Sequence, residues 1–106
     1  MRLMLDTSAV GFQVTRAAEA RKDFGKDVQK VDRDTGQPQW VVEVLAQDSE
    51  RGEVIRVTVT GDQPKVNPGQ SVRFDGLEAI PWNNNGKAGV AFRAAAIQPA
   101  QQSRAA

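Results

Sequence analysis

Short alternations of apolar and polar residues run through most of the chain. After Ala9, the side chains of Val10, Phe12 and Val14 fall on one face, the signature of a short half-buried strand. Over residues 39–46, Trp40, Val42 and Val44 share one face while Val41, Glu43 and Leu45 share the other. A run this rich in β-branched residues predicts a strand buried over much of both faces. The segment "EVIRVTVTGD" alternates cleanly, with Ile55, Val57 and Val59 inward and Arg56, Thr58 and Thr60 outward. Residues 71–80 set Val72 and Phe74 against Ser71, Arg73 and Asp75, and Gly76 inside that run predicts a bend or bulge. The last strand, residues 88–97, places Val90, Phe92, Ala94 and Ala96 opposite Ala91, Arg93, Ala95 and Ile97.

Turn chemistry separates these runs. Asp34-Thr35-Gly36-Gln37-Pro38 joins a strand at 28–32 to the one at 39–46, because glycine accepts positive φ and proline lacks the N–H a ladder needs. Residues 48–52 form a second turn, residues 63–69 a Pro/Gly connection, and residues 81–87 a loop around Asn85-Gly86. "RAAEARKDFGK", residues 16–26, favours helix by composition and stops at Gly25, which predicts one or two helical turns in a long polar loop. The expected architecture is all-β: a small five-stranded barrel with a protruding hairpin, since closure removes exposed edges. Residues 1–8 form an N-terminal segment, 9–98 the domain, and 99–106 a tail without apolar anchors, expected to be disordered.

Composition narrows the chemistry. With 106 residues the chain suffices for one compact domain, and it holds no apolar run of membrane-spanning length. It has no cysteine and no histidine. This removes disulfides, thiolate metal sites, the commonest general base and both common nucleophile–base pairings. A cytosolic location is the default. Gly86-Lys87 is followed by Ala88 instead of Ser or Thr, so it is no phosphate-binding loop. A carboxylate–metal hydrolase built on Asp62, Asp75 or Glu78 would need acids that converge, and these stand singly. A non-catalytic binding module without cofactor is therefore expected.

Net charge is only +1, so the distribution of charge matters more than its sum. Arg56, Arg73 and Arg93 occupy outward positions of three strands and would form a row if those strands were neighbours. Among the planar side chains, Phe12, Phe74 and Phe92 point inward and belong to the core. Trp40 shares its face with Val42 and Val44, which favours core, although it lies beside a turn. Phe24 and Trp82 fall in polar loops near Lys26 and Lys87 and are the better candidates for stacking.

The order of pieces carries a resemblance. A strand ends in a basic loop, and a hairpin follows whose turn reads Gly36-x-Pro38 and then Trp40. Next come a β-rich strand ending in Gly61-Asp62-Gln63-Pro64, a Pro68-Gly69 turn into an alternating strand, and a turn at Gly86 before a last strand closing on "AIQPA". This resembles the filamentous-bacteriophage single-stranded-DNA-binding (gene five) proteins and their plasmid-borne relatives, over most of the chain. The resemblance implies an OB fold, a homodimer and cooperative coating of single strands. It also implies a phosphate-contacting basic residue near Arg16 and Arg21, with Lys30 and Arg33 on the hairpin arm as further candidates. The chain departs from that family in having no tyrosine and a longer loop after the first strand.

Two functions are thus expected in order. The first is sequence-tolerant binding of single-stranded DNA, or RNA, in phage or plasmid replication or transfer. Phosphates would be neutralised by Arg16, Arg21, Lys30, Arg33, Arg56, Arg73 and Arg93, with stacking on Phe24, Trp82 or Trp40. The second is a non-catalytic interaction barrel that self-associates through its hairpin at 28–46.

Overall fold

The computed structural model describes residues 2–22 and 29–100. These form β1 (Leu3–Met4), β2 (Gly11–Ala20), β3 (Gln39–Gln47), β4 (Gly52–Thr60), β5 (Ser71–Asp75), β6 (Glu78–Asn84), β7 (Lys87–Ala94) and β8 (Ala96–Pro99). All eight belong to one curled sheet ordered β1-β6-β7-β4-β3-β2-β5-β8. The all-β expectation holds, whereas the strand count of five does not. The alternating run at 71–80 divides at Gly76 into β5 and β6, and the last run divides at Ala95 into β7 and β8.

Gly76 makes its break by adopting φ +64°, a conformation that L side chains rarely take. Opposite it, the Ala95 amide donates to the Asp75 carbonyl at 2.9 Å, so both strands of the ribbon bend at one level. Strands from the two halves of the sheet order are therefore covalently joined, β5 running into β6 and β7 into β8. Every pairing is antiparallel except β4 with β7, which is parallel (Val57 opposite Phe92, Thr58 opposite Arg93).

The core follows the alternation. Val14, Val42, Val44 and Val57 are the largest fully buried side chains. Each contributes on the order of 1.5–3 kcal/mol through loss of apolar surface to water. Phe12 and Phe74 meet edge to face with centroids 5.1 Å apart, as inward positions on paired strands allow. Val66, from the Pro/Gly connection, is also buried. That connection is laced to β2, because the Val14 amide donates to Gln70 and Gly69 donates to the Val14 carbonyl (2.8 and 2.7 Å). Val90 departs from the pattern: it is exposed, because β6 and β7 continue past the core as a two-stranded arm.

Several local expectations are corrected. The stretch from Arg16 to Ala20 is strand, and there is no helix among the described residues; residues 23–26 of the expected helical turns lie outside them. Register shifts between Val14 and Arg16 and between Arg16 and Glu19 let an alanine-rich segment stay paired with β3. The 81–87 loop shrinks to a two-residue turn, with Asn84 opposite Lys87. Asn85 and Gly86 take φ values of 53° and 79°, as a type I′ hairpin turn requires. The strand expected at 28–32 does not form among the described residues: the hairpin is reduced to isolated bridges, Lys22 with Gln29 and Val31 with Pro38, and Asp32 and Gln37 close its turn. The N-terminal segment joins the sheet through β1. The tail expected to be disordered from residue 99 starts later than that: Pro99 ends β8 opposite Val72 and the Ala100 amide donates to the Ser71 carbonyl at 3.0 Å, while residues 101–106 lie outside the described residues.

Candidate nucleic-acid interface

The outward faces of β2, β3, β4 and β7 collect most of the predicted cations. Arg16 pairs in register with Glu43, and Glu43 in turn with Arg56. Thr58, two residues along, lies opposite Arg93 on the parallel strand. Just beyond β2, Arg21 reaches back to this face, its Nη1 donating to Thr58 Oγ1 at 2.7 Å. Alternation explains the grouping: the partner positions Val42, Val44 and Val57 turn inward.

Acids are interleaved with these cations. Arg56 Nη2 lies 3.8 Å from Glu19 Oε1, Arg16 Nε 3.7 Å from Glu43 Oε1, and Arg93 Nη2 3.7 Å from Asp32 Oδ1. Glu43 is further fixed by the Thr15 hydroxyl at 2.7 Å. The Arg56 pair is well exposed, and a contact of this length in water holds little energy, so that guanidinium stays accessible. The Arg93–Asp32 pair is more enclosed, its side chains 31% and 16% exposed.

Two concavities open on this face. The first, about 390 Å³, is lined by Arg21, Lys22, Arg56, Thr58, Trp82 and Val90 among others. Trp82 is 47% exposed there. The second, about 750 Å³, is lined by Arg2, Lys30, Arg33 and Arg93 together with Asp32 and Asp34. The register pair Thr58–Arg93 connects them, since Thr58 lines the first and Arg93 the second.

Arg73 does not join the expected row. It stands on β5, separated from β4 by β3 and β2 in the sheet order. Its Nη2 donates to Gln98 Oε1 at 2.7 Å, and Gln98 Nε2 donates to Asp75 Oδ2 at 2.6 Å, a chain that clamps β5 to β8. Trp40 is half-buried, and its Nε1 donates to the Gly61 carbonyl at 2.8 Å, which gives it a packing and anchoring role. Trp82, expected in a loop, lies on β6 opposite Gly89. Phe24 and its neighbour Lys26 lie outside the described residues. Lys22 and Arg2 line the concavities without having been singled out in the sequence. Lys22 carried a signal in following β2 beside Arg21, whereas Arg2 depends on β1 pairing with β6.

The acids considered for metal chemistry are dispersed. Asp75 holds Gln98, Glu78 stands opposite both Met4 and Arg93 in the ladders, and Asp62 is exposed after β4. Among the described residues no group of three or more such ligands converges, and no helix is long and apolar enough to cross a membrane. The arrangement offers an aromatic plane and guanidinium donors on one face, a combination suited to bases and phosphates. No protein-family model, curated protein or solved structure matches this chain.

Proposed function

We propose that this chain is a sequence-tolerant single-stranded-DNA-binding protein of OB type, coating strands in phage or plasmid replication or transfer. One observation carries the reading: an exposed indole, Trp82, shares a cleft with Arg21, Lys22 and Arg56. Bases stack on the indole, worth about 1–3 kcal/mol each, while the cations neutralise phosphates and release counterions. Lys30, Arg33 and Arg93 extend the track across the second concavity. Duplex is disfavoured, because paired bases have no open face to stack.

The connectivity supports the OB assignment. If β5–β6 and β7–β8 are each taken as one bent strand, the chain has five main strands. The first pairs with both the second and the fourth, and the third runs parallel to the fifth. A partly open five-stranded barrel of this kind is a recurrent oligonucleotide-binding scaffold.

A second reading, self-association through the hairpin, draws on Val31, an apolar residue 54% exposed on that arm. The resemblance to dimeric relatives points the same way, and the two readings are compatible. Size-exclusion chromatography with and without a dT oligonucleotide separates them. Co-elution with the oligonucleotide supports strand binding, whereas a dimer that ignores it leaves only the interaction module.

A further inference from the structure

Gly89 is the third residue of β7, within the strand, where glycine weakens pairing by having no side chain to pack and much freedom to lose. Its backbone gives no reason for the choice, since its φ lies outside the left-handed region. The reason is Trp82, its partner across the β6–β7 ladder. A Cβ built on Gly89 would lie 2.6 Å from Trp82 Cζ2, 2.8 Å from Cε2 and 3.2 Å from Nε1. The indole therefore occupies the space that any other residue at 89 would fill. Trp82 nevertheless keeps 47% of its surface in solvent, on the cleft that holds Arg21 and Arg56.

We propose that Gly89 is the seat that fixes Trp82 as a one-sided stacking platform, taking one base of a single-stranded oligonucleotide on its open face. The inference rests on the single-strand reading and adds a positioning residue to it. A ring already held against the backbone loses little further freedom when a base lands on it. A methyl group at 89 would push the ring off by about 1 Å, because ordinary carbon contacts lie near 3.5–4.0 Å. A glycine that served the sheet alone, covered by a cross-strand aromatic for stability, would change melting without changing binding.

The test is a double-mutant cycle. Wild type, Gly89→Ala, Trp82→Ala and the double variant are titrated against fluorescein-labelled dT oligonucleotide by anisotropy, each over a range of salt. Trp82→Ala is expected to weaken binding roughly 10-fold or more, about the worth of one stacked base. Gly89→Ala should weaken it about 3- to 10-fold with the salt slope unchanged, and should have no effect in the Trp82→Ala background. If Gly89→Ala fails to fold, the same substitution in a Trp82→Phe background, where the smaller ring leaves room for the methyl, keeps the comparison. There it should fold and bind like Trp82→Phe alone. Wild-type affinity in Gly89→Ala, or equal losses in both backgrounds, overturns the platform while leaving strand binding in place. A wild-type chain that ignores the oligonucleotide overturns the underlying reading as well.

Discussion

Arg56 Nη2 and Glu19 Oε1 stand 3.8 Å apart across the outer face of the sheet, joining β4 to β2 over the intervening β3. With a net charge of +1, the proposed polyanion partner would have to compete with such acids for the arginines. On the proposed single-strand reading, a phosphate would offer the same guanidinium a better acceptor geometry than Glu19 does.

Replacing Glu19 with Gln should therefore strengthen binding. The exposed pair is worth no more than about 1 kcal/mol, so the gain should be roughly 2- to 5-fold at low salt. It should shrink as screening rises. Anisotropy titrations at two salt concentrations check this, and weaker binding in E19Q would show that Glu19 supports the site instead of competing for it.

Arg56→Ala and Arg21→Ala should each lower affinity for dT and reduce the salt slope by about 1, one phosphate contact apiece. Arg73→Ala should leave both unchanged, because its guanidinium serves the Gln98–Asp75 chain at the far side of the sheet order. A loss in R73A equal to that in R56A would contradict this placement of the strand path.

Trp40→Phe removes the donor to the Gly61 carbonyl while keeping an aromatic ring in a half-buried position. The loss should be about 1 kcal/mol in urea denaturation, with oligonucleotide affinity unaffected. A large binding defect in W40F would move the stacking role from Trp82 to Trp40.

Asp48 closes the β3–β4 turn, its Oδ1 accepting from the Glu50 and Arg51 amides at 2.8 and 2.9 Å. Those two backbone bonds hold its carboxyl below the usual value of 3.8. A carboxyl lowered in the folded state stabilises above its unfolded pKa, and that contribution is lost as pH falls through the folded value. Thermal melts from pH 7 to pH 2 should show wild type losing more stability below about pH 4 than Asp48→Ala does. Parallel curves would remove Asp48 from the acid response.

The apolar half of the fold was legible in the sequence. Alternation alone located Val42, Val44, Val57, Val72 and Phe74, all buried, and Asn85-Gly86 was correctly read as a turn. What failed was non-local. The stretch from Arg16 to Ala20 has helical composition, yet pairing with β3 across two register shifts overrides it. Nothing local marks Trp82 as strand, since its neighbours are proline and asparagines with no apolar alternation. Its strand is held by a partner five to nine residues further on, through pairs such as Trp82–Gly89 and Pro81–Val90. Arg73 looked equivalent to Arg56 and Arg93, since outward alternation is visible in sequence whereas strand order is not. Arg21 is a candidate in the sequence through the resemblance alone; its hydrogen bond to Thr58 is a non-local contact that no local pattern encodes.

The central claim is that Trp82 and the arginines of the outer face form a single-strand site. Its most direct measurement is the dissociation constant of wild type for a dT oligonucleotide as a function of salt concentration. Log K should fall linearly with log salt, with a slope of roughly −2 to −4 set by the few phosphates the two concavities reach, and a duplex of equal length should bind more weakly. No binding at low salt, or equal affinity for duplex and single strand, would contradict it.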